Sequence, residues 1–419
     1  MKIWPASHTR VESFDTIENK IVAGERMVWT VTEQDWWNIG KAIGYFFLNP
    51  LFWAALIAAV GVGYFRVKRE RRHFNIRLLP GLTEWRRIVS ESWLPAVVLS
   101  VVVSGVGLTV DRGWLVLFIG ISLIALLFFY YQAMSPIYFA AIAVLAIFGM
   151  QFDSSRFTLY GWSPDEVDLY GSLAVTVAII AGLLLMAEGY LVRRFAARCP
   201  SPLLEPTNRG LQAAVFKVKR LWLLPVVFLV PGDMISAYVP YWPQLTLGAA
   251  TFSFVPVPVV IGFSQIVRTT FPEILYPKMG RAIMVIGAVV VAIGIGAIWM
   301  PVIGWAAVVI GVISRMTLSI VTAMKERKGG YVAAPRSSGV MIAGVLPESP
   351  GERLGLVPGE CIRAVNGIHV TNEKELYDAI QVNAAHCRLQ VIGRDGEVRL
   401  MQQVLYRHDH HRLGLLVVR

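Results

Sequence analysis

Long apolar runs separated by short polar or basic stretches recur between residues 43 and 323. A helix needs about 20 mostly apolar residues to cross the hydrocarbon core of a bilayer. On that measure the pattern predicts spans near 43–64, 93–110, 114–131, 135–151, 171–192, 221–241, 246–267, 282–299 and 302–323. The expected fold class is therefore an α-helical polytopic membrane protein of about nine spans, with seven to nine admitted by the weaker runs, followed by a small α+β domain. The weaker runs are 135–151, which is short; 221–241, interrupted by Pro225, Pro231 and Asp233; and 302–323, which holds Arg315. Pro256 and Pro258 make the 246–267 run a kinked or broken helix.

The chain divides at changes of pattern. Residues 1–42 are a polar N-terminal extension, 43–323 the multispan domain, 324–338 a basic and flexible linker, and 339–419 a carboxy-terminal domain of short alternating runs and turn pairs. The first apolar run has no basic n-region and no small-residue cleavage site, so it reads as an anchor, with Met27 an alternative start. In the carboxy-terminal domain the predicted order is strand 340–345, a helix from Ser349, strand 361–365, a turn at Asn366-Gly367, helix 373–382, strands near 388–393 and 397–404 joined through Asp395-Gly396, and a last strand 413–418. Asn-Gly and Asp-Gly supply the positive φ angles that tight hairpins require.

Overall the chain is 55% apolar and 16% charged, with a formal net charge of +11. The basic residues cluster in alternate loops: Arg66 to Arg72, 193–220 (Arg193, Arg194, Arg198, Arg209, Lys217, Lys219, Arg220) and 268–281. Short cytoplasmic loops carry such an excess, so these loops and the carboxy-terminal domain, after Lys325-Glu326-Arg327-Lys328, are expected in the cytoplasm, and the 152–170 loop outside. Topology accounts for the charge, no nucleic-acid partner is called for, and the inner basic residues suit anionic membrane lipids. Leu82, Trp85 and Val89 share a helical face, which fits either a helix lying in the interface or a plain extension of the next span.

The run Gly339-Val340-Met341-Ile342-Ala343-Gly344-Val345, with Ser349-Pro350-Gly351-Glu352-Arg353-Leu354-Gly355-Leu356, Pro358-Gly359-Glu360 and Val365-Asn366-Gly367, resembles a bacterial PDZ domain. Glu360 stands where aspartate is more usual. The resemblance implies binding by addition of a peptide strand to a sheet edge. It places the peptide-binding residues at Gly339, Val340, Met341, Ile342, Leu376 and Ile380, each apolar one of which is equally an ordinary core residue.

Phe46-Phe47-Leu48-Asn49-Pro50-Leu51-Phe52-Trp53, followed by Gly63-Tyr64-Phe65-Arg66-Val67-Lys68-Arg69-Glu70-Arg71-Arg72-His73-Phe74, resembles the first span of the MinJ family of Gram-positive cell-division determinants. The order of parts agrees, although residues 1–42 are longer than that family leads one to expect. The resemblance implies a membrane-embedded adaptor that positions Min-system proteins at poles and septum, linking a DivIVA-like polar scaffold to a MinD-like inhibitor, without catalysis or cofactor. The alternative is a PDZ-bearing membrane protein that presents substrates to a separate protease, or a transporter subunit.

Membrane-protease chemistries fail on their required residues. There is no His-Glu-x-x-His for zinc; no span holds a histidine to activate a serine, so Gly262-Phe263-Ser264 reads as helix packing; and Glu188 and Asp233 are the only acids near spans. Glu188, five residues before Arg193, reads as an interfacial ion pair or, if deep, a transport site. His408-Asp409-His410-His411 reads as a solvated turn ahead of a metal site. Cys199, Cys361 and Cys387 carry no CxxC spacing and are expected to be unpaired.

Overall fold

The computed structural model describes residues 44–128, 131–153, 162–198, 200–207, 210–232, 244–247, 250–335, 339–383, 386–404 and 413–418. Helix α1 (Pro50–Phe74) starts at Asn49, whose side chain accepts from the Leu51 N–H at 3.0 Å. Pro50 sits in the first turn, where a missing N–H is harmless. The helix ends on Arg71, Arg72 and His73, cations that suit both a helix C-terminus and the cytoplasmic face. Helix α2 (Thr83–Ser90) is a two-turn piece that buries Ile88 and leaves Leu82, Trp85 and Val89 outward, and it continues with the next helix into one apolar span over Thr83–Val106. Then come α3 (Trp93–Val106), α4 (Arg112–Leu127), α5 (Pro136–Gln151), α6 (Ser172–Phe195), α7 (Pro272–Gly296) and α8 (Val302–Lys328).

Two of the nine expected spans are not helices. The 221–241 run falls on strand β2 (Gln212–Pro231) and continues outside the described residues, and the 246–267 run falls on β4 (Ala250–Val267). With β1 (Ser201–Pro206) and β3 (Gln244–Leu247) they form a sheet of order β1-β2-β4-β3. Among the described residues, five helices are long and apolar enough to cross a membrane, those over Pro50–Phe74, Thr83–Val106, Ser172–Arg198, Pro272–Gly296 and Val302–Lys328; α4 and α5 are shorter apolar helices.

The reason lies in the prolines. A proline inside a helix removes a hydrogen bond and clashes with the preceding turn, at about 3 kcal/mol or more, and Pro225, Pro256 and Pro258 fall inside these two runs, with Pro231 at the end of β2. Pairing as strands puts Pro225 opposite Pro258 and satisfies the remaining backbone along a ladder from Phe216↔Val267 to Pro231↔Phe252. The β-branched Val226, Val227, Val230, Val255, Val257, Val259, Val260 and Ile261 favour that conformation.

The hairpin runs beside α3. At one end the Arg220 guanidinium donates to Glu91 at 2.9 Å, and the Trp222 indole donates to the same carboxylate at 2.8 Å. Midway the Val227 N–H donates to Ser100 Oγ at 3.0 Å, and at the other end the Val110 N–H donates to the Leu229 carbonyl at 2.9 Å. From Arg220 to Leu229 a strand rising about 3.3 Å per residue advances about 30 Å, close to the hydrocarbon thickness of a bilayer. Because the two lost spans form an adjacent pair, their loss does not by itself reverse the order of the loops that the basic residues predict.

Helix α6 is the centre of the bundle. Gly182 and Gly189 lie one heptad apart and meet Gly287 and Gly280 of α7: a Cβ at Gly189 would sit 2.7 Å from the Gly280 carbonyl oxygen, and one at Gly287 2.7 Å from that of Gly182. Such small-residue seams let membrane helices approach backbone to backbone. Across the bundle, Arg315 of α8 donates to Glu188 of α6 at 2.6 and 2.9 Å, and Ser135 donates to the same carboxylate. Both acid and base are buried, so Glu188 is one half of a closed ion pair.

The carboxy-terminal domain comprises β5 (Val340–Val345), α9 (Pro350–Arg353), β6 (Cys361–Val365), β7 (Ile368–His369), α10 (Glu373–Val382), β8 (Cys387–Ile392), β9 (Val398–Gln403) and β10 (Leu415–Val417). Its sheet order is β10-β5-β6-β8-β9, with β7 on β6. Asn366 and Gly367 have φ of 52° and 84°, as their hairpin turn requires. Ser349 caps α9 and Asn372 caps α10 through acceptance from the Glu375 N–H at 2.9 Å. Glu360 is buried, accepts from the Val357 N–H at 3.0 Å and pairs with Arg399, so the longer acid serves this turn.

The linker is not a free tether. The Val332 N–H donates to the Arg268 carbonyl at 2.8 Å, and Ala333, fully buried, bridges to Ala214 of β2. Residues 336–338 lie outside the described set. The domain beyond is seated on the membrane half: the Phe271 ring, just before α7, fills the place a Cβ would take at Gly359. Arg394 stacks over that ring at 3.7 Å and donates to Glu273 at 2.9 Å.

Candidate functional site

Alternation along β5 divides the predicted peptide-binding residues between two surfaces. Val340 and Ile342 turn inward and pack in one core with Leu376 and Ile380 of α10 and with Leu413, Leu415 and Val417. Met341 and Ala343 turn the other way and join Cys361, Leu416, Val418, Phe271 and Ala333 in the core continuous with the membrane half. Met341 is thus a seating residue. Gly339 has no room for a side chain, since a Cβ there would lie 2.6 Å from Cys361 Sγ and 2.7 Å from the Ile362 oxygen.

Strand β5 also has no open edge. It pairs with β6 through Val340↔Ile362 and Met341↔Cys361, and with β10 through Val345↔Leu415, Gly344↔Leu416 and Ile342↔Val417. Among the described residues β10 and β9 end the strand order of this sheet, with the two-residue β7 off that path on β6. Leu415 and Val417 of the β10 edge strand share one buried core with Leu376 and Ile380 of α10, so this edge and the apolar face of that helix belong to the same core. Leading into β10, Leu413 accepts from the Gly351 N–H at 2.9 Å and Gly414, at φ 71°, accepts from the Leu346 N–H at 2.8 Å.

That β10, and not β5, lies at the sheet edge is not legible in the sequence, because alternation marks a strand without revealing its neighbours. The available signal was the run Leu413-Gly414-Leu415-Leu416-Val417-Val418 itself, a short apolar stretch entered through a glycine. The His408–His411 cluster, Cys199 and Asp233 lie outside the described residues. Among the described residues no group of three or more metal-ligating side chains occurs. Cys361 and Cys387 are buried and neither is in a disulfide, and burial pushes the Cys387 thiol up to about 11.

A PDZ domain family model matches residues 341–392. Over 383 residues the chain is 33% identical to Cell division topological determinant MinJ of Bacillus subtilis (strain 168), covering 90% of this chain and 94% of that protein. The chain belongs to the MinJ family. A second MinJ-family relative, Probable cell division topological determinant MinJ of Lacticaseibacillus paracasei, is 26% identical over 378 residues, 88% of this chain and 96% of that protein. Magnetosome formation protease MamE of Paramagnetospirillum magneticum is 37% identical over only 94 residues, 22% of this chain and 13% of that protein. No solved structure matches.

Membership of the MinJ family joins the two halves of the fold: a multi-pass membrane protein with a cytoplasmic carboxy-terminal PDZ domain, belonging to a family of topological determinants and not of enzymes. The match spans the membrane half as well as the PDZ domain, whereas the protease likeness is confined to a fraction of the chain.

Proposed function

We propose that this protein is a membrane-embedded adaptor that positions Min-system division proteins at the cell poles and septum. Its PDZ domain captures a partner segment by strand addition at β10, and a DivIVA-like polar scaffold and a MinD-like division inhibitor are the partners. The near full-length likeness to a cell-division topological determinant carries the reading. The edge position of β10 supports the mode of capture, because main-chain pairing gives affinity and the flanking side chains give selectivity.

The test uses photo-crosslinking residues on exposed positions, where folding is undisturbed. Lys374 and Asp378 lie exposed on α10, and Leu400 on the opposite edge strand β9 is 83% exposed. Crosslinks in dividing cells to the scaffold or the inhibitor from positions 374 and 378, with none from 400, are expected. Capture of these partners from 400 alone would move the site to β9. Capture of neither from any position, in a full-length fusion that shows no polar or septal enrichment, would remove the adaptor reading.

A further inference from the structure

Lys217 and Lys219 alternate with Val218 along β2, so their side chains share one face of the sheet. Arg69 of α1 is brought to them by its neighbour: Glu70 accepts from Ser201 Oγ at 2.9 Å, and Ser201 is the cross-strand partner of Lys217. The Lys219 ammonium lies 3.9 Å from the centroid of the Tyr131 ring, in the turn between α4 and α5.

The acids nearby are engaged elsewhere. Glu70 accepts from Arg66, from the Leu78 N–H and from Ser201, and Glu205 is held by Arg268 at 2.8 Å. Arg69 Nε is buried with no hydrogen-bond partner among the described residues, an arrangement that is costly unless an acceptor arrives. Burial, and after it the neighbouring charges of Lys217 and Arg69, bring the Lys219 ammonium down to about 8. Lys217 is lowered by burial and by Arg69, against a raising influence from Glu205.

We propose that Arg69, Lys217 and Lys219 form a binding site for a phosphate-bearing anion at the cytoplasmic face of the membrane, with the headgroup of an anionic phospholipid as its carrier. Three cations converging without acids of their own supply the charge, and the Arg69 N–H supplies a directed donor. Position favours a lipid. Lys219 immediately precedes Arg220, which anchors the inner end of the apolar hairpin to Glu91. Ser264, directly opposite Lys219 in the sheet, lines a cavity of about 740 Å³ whose walls include Ile121, Ile142, Leu145 and Val312. Directly opposed residues project to the same side of a sheet, so an apolar chain in that cavity and a headgroup on the cations can belong to one molecule.

The full-length protein in a neutral detergent, melted with added phosphatidylglycerol, phosphatidylcholine or inorganic phosphate, tests the site. Phosphatidylglycerol should raise the melting temperature by several degrees and phosphatidylcholine should not. The rise should disappear in Lys217→Gln/Lys219→Gln and in Arg69→Gln, persist in Arg281→Gln, and fade above pH about 8 as Lys219 loses its charge. Since the variants relieve repulsion, their lipid-free melting should be no lower than the parent's, and folding is checked independently by gel filtration. A rise with inorganic phosphate alone would overturn the lipid as carrier. A phosphatidylglycerol effect equal in parent and variants, or absent from the parent, would overturn the site itself.

Discussion

Glu188 and Arg315 show what a single ionisable group costs inside an apolar bundle. Each is almost fully buried, and each satisfies the other. Removing one partner of such a pair strands a buried charge, typically at about 3–5 kcal/mol, whereas replacing both with apolar residues can be neutral. Glu188→Gln and Arg315→Met should therefore each lower the detergent-solubilised melting temperature sharply, and Glu188→Leu/Arg315→Met should recover most of the loss. Lys219 gives the opposite kind of test. Its folded-state value of about 8 lies below the ordinary 10.5, so between those pH values the unfolded chain holds more protons than the folded one. Stability of the lipid-free protein should accordingly rise with pH through that window, and a Lys219→Met variant should lack the rise in pH-dependent melting. Glu188 was visible in the sequence as an acid near a span; its partner 127 residues away was not, because nothing in local spacing pairs residues on different helices.

At the scale of elements, the seam between α6 and α7 rests on glycines that meet each other's carbonyl oxygens. Overpacking a fitted interface costs about 1–3 kcal/mol even where side chains can yield, and here the obstacle at Gly189 and Gly280 is backbone. Gly189→Leu should part the two helices, read as loss of a monodisperse peak on gel filtration and a lower melting temperature; Gly120→Leu, whose Cβ meets nothing within 4 Å, should change neither. The PDZ elements were legible almost residue by residue, because each carries its own turn and cap signals, such as Asn366-Gly367 and Asn372. The β2–β4 hairpin was not. Its valines and isoleucines satisfy a hydropathy window as well as any helix does, and only the spacing of Pro225, Pro256 and Pro258 distinguishes a strand from a broken span. Of the candidate site, Leu376 and Ile380 share a buried core with β10, while the partners that flank β5 on both sides follow from sheet order, which alternation does not encode.

For the whole molecule, the alternation of basic loops and the loss of spans as a pair require the PDZ domain and the β1–β2 turn to share one side of the membrane. A cysteine replacing Met300, between α7 and α8, should react with an impermeant reagent from outside, while one replacing Glu205 should react only after lysis; a reporter fused after Arg419 should be active only as a cytoplasmic one. The seating of the PDZ sheet adds a further expectation. Met341, Leu416 and Val418 are buried against the membrane half, so residues 339–419 alone would expose an apolar face. The excised domain should self-associate at concentrations where its Met341→Asp variant stays monomeric in ultracentrifugation. The same substitution in the full chain should leave membrane insertion intact and increase protease sensitivity around residues 329–335.

Strand β10 has two duties at once: Leu415 and Val417 pack in the core shared with α10, while Leu416 and, just past the strand, Val418 press on the membrane half. A segment laid along its edge would therefore meet a strand whose height and heading relative to the bundle are already set. Such a partner would leave the strand edge on a fixed bearing from the bilayer. Geometry of that kind turns capture into aim: molecules recruited one by one would all face the membrane the same way, ready to meet neighbours held by adjacent copies.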